Sequence, residues 1–170
     1  EFRSLGERTL FDQPATYVEL EGSYEGMDGT RISNAGLFGA VFARGQSALF
    51  VKMTGPADLL EAQRSAYLGF LDSLALADRP PVGPGTSVEP GAGAPPSSLT
   101  WVSPDGWTEE PSSGPYREVT FRKGAVEMYI SVARGGVLAN VNRWAGQLGL
   151  APLDQGGLDA LERVPMLGLS

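Results

Sequence analysis

The side chains best suited to recognition chemistry lie in one short run, VLANVNRWAGQLGL at 137–150, where Asn140, Arg143, Trp144 and Gln147 recur at helical spacing. A planar guanidinium, two amides and a large aromatic ring are residue types that dominate binding surfaces. Read as the outward face of a helix, they are candidate contacts for another macromolecule. Trp101 and Trp107, in LTWVSPDGW, join them as candidates. The competing reading folds Trp144 back over a sheet, pairs Arg143 with a carboxylate and gives Asn140 a backbone bond. Trp101 and Trp107 suit the role of core staples for the same reason.

Catalytic chemistry has fewer places to reside. The 170 residues include no cysteine and no histidine. That removes Ser-His and Cys-His nucleophile pairs, structural zinc of the usual Cys/His kind and the commonest general base at neutral pH. Carboxylates, lysines and tyrosines remain. Glu109 and Glu110 are adjacent in a strand-like stretch and point to opposite faces, so they do not converge. Asp58 and Glu61 fit the first turn of a helix, where acidic groups suit the helix dipole. Asp28-Gly29, with Asp12 and Glu25 nearby, lacks the dense alternating oxygen ligands of a calcium loop and reads better as a solvated turn. No P-loop, dinucleotide fingerprint or nucleophile elbow occurs. The expectation is a non-enzymatic chain with no catalytic residue, no metal ligand and no cofactor.

A formal charge of -7 and a pI near 4.6 oppose binding to nucleic acid or anionic membranes. No apolar run approaches the roughly 20 residues that span a bilayer, so no transmembrane segment is expected. Glu1-Phe2 is the dipeptide an EcoRI cloning site encodes, so the expectation is a native start, with any export signal, upstream.

Positioning the candidates requires a sheet and helices. Residues 16–20 are strand-like, and 21–35 are rich in turn formers. LFGAVFA and ALFVKM flank Arg44-Gly45-Gln46-Ser47 as a hairpin, and their nearly continuous apolarity suits central strands covered by other layers. Thr54-Gly55-Pro56 then opens a helix of about five turns whose stripe is Leu60, Tyr67, Phe70, Leu71 and Leu74, with Gln63 at its boundary. Residues 79–98 are Pro, Gly, Ala and Ser with little to bury, the composition of a linker. Beyond them come a turn bracketed by Trp101 and Trp107, then a second hairpin of 117–121 and 126–132 joined around Lys123-Gly124. In its second arm Val126, Met128, Ile130 and Val132 alternate. Gly135-Gly136 breaks that strand before a helix in which Leu138, Val141, Ala145 and Leu148 face the sheet. Asp154 caps a last short helix through Arg163, and 164–169 is an apolar strand. The fold class is α+β: an antiparallel sheet covered by helices, built from two β-hairpin–helix units. Residues 1–78 and 99–170 together form one domain.

TWVSPDGW, the hairpin and GGVLANVNRWAGQLGL on one side, and LFVKMTGPADLLEAQRSAYLGFLDSL on the other, resemble the two ends of a family of small exported bacterial proteins found in planctomycetes and related phyla. The matching positions are Lys52, Thr54, Gly55, Tyr67, Phe70 and Ser73 in one motif, and Asn140, Asn142, Arg143, Trp144, Gln147 and Leu148 in the other. The similarity covers about three quarters of the chain. It implies a PsbP-like α/β/α sandwich, a fold shared with photosystem extrinsic subunits and Ran-binding import factors, which says little about activity. It also implies export, to the periplasm or as a lipoprotein, and a partner in the cell envelope. In the family the tryptophan-rich piece comes first, whereas here it comes second. The order therefore reads as circularly permuted, whether by engineering, by nature or by a cut across tandem copies. The main expectation is an exported accessory domain that binds a macromolecule through Asn140, Arg143, Trp144 and Gln147. The alternative is a small-molecule or metal-binding domain with a pocket lined by Trp101, Trp107, Trp144 and Arg143.

Overall fold

The computed structural model describes residues 1–10, 13–25, 29, 31–44, 47–76, 99–111, 116–134 and 136–160. The proline-rich stretch at 79–98, the strand expected at 164–169, Gly135, Asp12 and Asp28 lie outside the described residues.

Among the described residues, nine strands and four helices follow in chain order: β1 (Phe2–Leu10), β2 (Gln13–Glu25), β3 (Arg31–Arg44), β4 (Ser47–Pro56), α1 (Ala57–Ala62), α2 (Arg64–Ser73), β5 (Ala75–Leu76), β6 (Leu99–Thr100), β7 (Thr108–Pro111), β8 (Arg117–Lys123), β9 (Val126–Arg134), α3 (Val137–Gln147) and α4 (Gln155–Ala160). Seven strands make one antiparallel sheet in the order β1-β2-β3-β4-β9-β8-β7, and β5 and β6 pair apart from it. The chain is α+β, with helices packed on both faces of the sheet.

The two hairpins meet at the middle of that sheet. β3 pairs with β4 up to Arg44 opposite Ser47, and β8 with β9 around a turn whose Gly124 takes φ +59°. β4 then pairs with β9 from Ser47 opposite Arg134 to Thr54 opposite Glu127. Strands from both sides of 77–98 thus share one continuous sheet, and both apolar clusters draw residues from each side. The near-continuous apolarity of β3 and β4 follows from this position. Phe38, Ala40, Phe42, Val51 and Met53 enter the cluster under α1 and α2, while Leu37, Val41, Ala48 and Phe50 enter the one under α3 and α4.

Several elements differ from the expectation. β1, β5, β6 and β7 were not foreseen, and β2 and β3 run through most of the stretch read as turns. β1 and β7 are polar and lie at the sheet edges, where among the described residues one side has no partner and burial imposes little pattern. The five-turn helix is two helices. The chain turns at Gln63, φ -100° and ψ 4°, between α1 and α2, yet Leu60, Tyr67, Phe70, Leu71 and Leu74 are all buried as expected. Pro56 caps α1 from outside rather than sitting in its first turn, and Glu61 lies past that turn, bonded to Arg64. Val132 is 37% exposed, so the inward alternation of β9 ends at Ile130. Asp154 caps α4 through its Oδ1, which accepts from the Gly157 amide at 2.6 Å.

Candidate functional site

α3 is fixed to the sheet by Trp144 and Gln147, two of the four residues expected to face away from it. Trp144 is 2% exposed and Asn140 3% exposed, which corrects the reading of both as outward contacts. The Trp144 ring meets Phe50 edge-on at 5.9 Å and lies directly over Gly39. A Cβ at Gly39 would fall 2.3 Å from a ring carbon, so glycine at this strand position leaves room for the indole. The Asn140 side chain donates to the Gly136 carbonyl at 2.9 Å, within the first turn of its own helix. Asn142 both donates to and accepts from the backbone of Leu153, at 2.7 and 2.8 Å, and so clamps the segment that leads to α4. At the far end the Leu148 carbonyl accepts from the Ser23 amide at 3.1 Å, and Gly22 permits that approach: its Cβ would sit 2.2 Å from the same oxygen.

Arg143 remains exposed, with Gly136, Ala139 and Gly146 beside it on the outer face. Gln147 is half-buried and turned toward β4, where its Oε1 accepts a 2.5 Å hydrogen bond from Lys52 Nζ. Trp101 and Trp107 are half-buried against the cluster on the opposite face of the sheet. Trp101 meets Phe121 edge-on at 6.4 Å, in keeping with the staple reading. Because Trp144 lies beneath α3 on the other side, the three tryptophans share no pocket; the sheet separates them.

The carboxylate pairs fall apart as their spacing implied. Glu109 bonds Ser103 at 2.5 Å, while Glu110 pairs with Arg122 at 3.0 Å. Glu25 pairs with Arg31 at 3.1 Å. Among the described residues, no group of acidic side chains is arranged to hold a metal ion.

Two polar constellations appear where only apolar packing was expected. The first lies under α2. Glu19 is 4% exposed; it accepts from the Tyr17 hydroxyl at 2.6 Å and from the Arg64 guanidinium, which also reaches Glu61 at 2.8 Å. Burial, followed by the bond to Glu19, pushes the Tyr17 hydroxyl far above the usual range.

The second lies where α3 ends against the sheet. Lys52 points to the α3 face and is 2% exposed. Its ammonium lies 5.6 Å from the centre of the Tyr24 ring and 5.9 Å from that of Tyr129, its neighbour across the β4–β9 pairing. Arg117 stacks on the other part of that environment, 3.9 Å from the Tyr129 ring centre, and pairs with Glu127 at 3.3 Å. Glu127 also accepts from Arg122 at 2.5 Å. Burial lowers the Lys52 ammonium to about 7; Glu127 opposes that shift, and Arg117 and Arg143 add to it. Lys52 was legible only as a motif position, although a lysine inside the apolar run ALFVKM is itself a signal that something compensates it.

The depressed Lys52 value gives stability a pH dependence. Below about pH 7 the amine is charged in folded and unfolded chains alike, so the full cost of burying it is present. From there to the ordinary lysine range the unfolded chain binds a proton that the folded chain lacks, and stability rises with pH. Above about pH 10 the raised Tyr17 and Tyr129 hydroxyls reverse the slope, since the unfolded tyrosines ionise first. Lys52→Met should flatten the rise and exceed the parent in stability near pH 6. Urea midpoints across this range test it, and a rise unchanged in the variant would exclude Lys52 as its source.

Compared with protein-family models, curated proteins and solved structures, the chain matches none.

Proposed function

We propose that the chain is a non-enzymatic accessory domain, exported to the cell envelope, that docks another protein through the outer face of α3. In this reading it is one PsbP-like unit in permuted order, formed by 1–78 and 99–170 and bridged by 79–98. The resemblance of the NVNRW and KMTG stretches supports both. The observation that carries the docking reading is the division of labour on α3. Asn140, Asn142, Trp144 and Gln147 are engaged inward or along the backbone, which leaves a low outer face of Gly136, Ala139 and Gly146 around the Arg143 guanidinium. Small residues let a partner backbone approach closely, and an exposed arginine on a rigid element is a common anchor at protein interfaces. Trp144 has no part in the contact itself; it holds the helix that presents Arg143.

A photo-crosslinking residue at Ala139 should give one discrete adduct in native envelope extract, and Arg143→Glu in the same background should abolish it while the circular dichroism spectrum is unchanged. No adduct, or one indifferent to Arg143→Glu, would overturn the proposal.

A further inference from the structure

We infer that the junction of the α3 C-terminus with the β4–β9 pairing is a binding site for a small oxyanion, a carboxylate or a phosphate, held by Lys52, Arg117 and Arg143 over the Tyr129 ring. The site shares Arg143 with the docking face proposed above, but its oxyanion binding needs no docked protein.

The argument begins with charge balance. The charged groups acting on Lys52 are the Arg117 and Arg143 guanidiniums and a single carboxylate, Glu127. That carboxylate is already divided between Arg117 and Arg122. Lys52 and Arg117 thus both lie against the Tyr129 ring beside one shared carboxylate, and Arg143 adds a third positive charge from α3, in a chain whose overall charge is -7. A local positive excess in an acidic chain is a point of attraction for an anion.

Hydrogen bonding points the same way. An ammonium has three donors, and for buried Lys52 one acceptor is found among the described residues, the Gln147 carbonyl oxygen. The remaining surroundings are the faces of Tyr24 and Tyr129, which favour a cation but accept weakly. Gln147 is half-buried on the last turn of α3, and its amide oxygen occupies the place an anionic oxygen would take. When the Gln147 side chain rotates toward solvent, the ammonium opens to an incoming group beside Arg143. An ion pair then replaces an ammonium–amide bond.

α3 packs over β2 and β3. The apolar cluster beneath it takes its sheet residues from β2, β3 and β4. On β9, the same face continues with Glu127, Tyr129 and Ser131, half-buried polar side chains that suit a solvated ligand better than a packed helix. The groups facing Lys52 are thus Tyr24 from β2, Glu127 and Tyr129 from β9, Arg117 from β8, and Arg143 and Gln147 from α3.

The test is a titration followed by the side-chain NH resonances of Gln147 and Arg143, with sodium succinate in one arm and sodium phosphate in the other, ionic strength being held with sodium chloride. Saturable shifts in either arm are expected, and the tighter arm identifies the oxyanion. Affinity for succinate should fall about tenfold in Arg143→Gln, the loss of one charge-assisted contact on an exposed residue whose removal leaves the fold intact. It should also fall several-fold between about pH 6.5 and about pH 9, as Lys52 loses its proton, and Lys52→Met should remove that pH dependence. Shifts that stay linear in both arms would overturn the assignment. So would saturable binding that Arg143→Gln leaves unchanged, or binding equally strong on both sides of the Lys52 titration.

Discussion

Replacing Trp144 with alanine is expected to lower the unfolding free energy by about 3–5 kcal/mol, the range for deleting a large buried aromatic whose site cannot fully collapse. Collapse is hindered because the ring rests on bare strand backbone at Gly39, and no flexible side chain there can move in to fill the space. The complementary change is informative. Gly39→Ala puts a methyl group 2.3 Å from the ring, and overpacking of that kind costs about 1–3 kcal/mol. The two costs should not add: once Trp144 is alanine, the new methyl group meets no indole and partly fills its cavity. Denaturant midpoints of the two single variants and the double variant measure this coupling. Strict additivity would mean that the ring and the glycine do not meet in solution.

The second large effect is expected at Arg64. Arg64→Ala leaves the buried Glu19 carboxylate with the Tyr17 hydroxyl but without its guanidinium, and stripping one partner from such a pair costs about 3 kcal/mol or more. Glu19→Gln should cost less, because it keeps the shape and an acceptor for Tyr17 while relieving the site of a charge. Replacing Glu19 and Arg64 together by leucine should cost less than Arg64→Ala alone, since apolar groups of similar size need no partner. Thermal unfolding of the three variants at neutral pH decides the matter. If the double leucine variant is the least stable, the pair contributes more than its own mutual compensation.

These sites show how far the residues could be read in advance. The central hairpins were legible because Leu37, Phe38, Phe50 and Val51 form apolar runs too continuous for an exposed strand, and their turns carry glycine. Trp144 was legible too, but residue type misled where angle did not. At about 100° per residue it lies about 40° from Leu148 and about 60° from Val141, at the edge of the buried stripe, while Arg143 points away. Grouping the tryptophan with the arginine by chemical role moved it to the wrong side. Glu19 could not be foreseen: in TYVEL it reads as the solvent-facing position of an alternating strand, and the arginine that compensates it arrives only with α2, on a distant part of the chain. β1 was hidden for a different reason, since FRSLGERTL carries no strict period.

The junction of β4 with β9 has a consequence for how the molecule comes together. Lys52 and Tyr129 are far apart along the chain yet adjacent at the centre of the sheet, so the decisive step of assembly is a long-range closure. Until it occurs, each portion holds an open ladder edge and an apolar face that it cannot cover by itself. The entropic toll of that closure grows only slowly with the length of the segment between the two portions. Natural variation can therefore lengthen or trim residues 77–98 at little thermodynamic expense, whereas a change that roughens the shared edge of β4 or β9 would be felt by both portions at once.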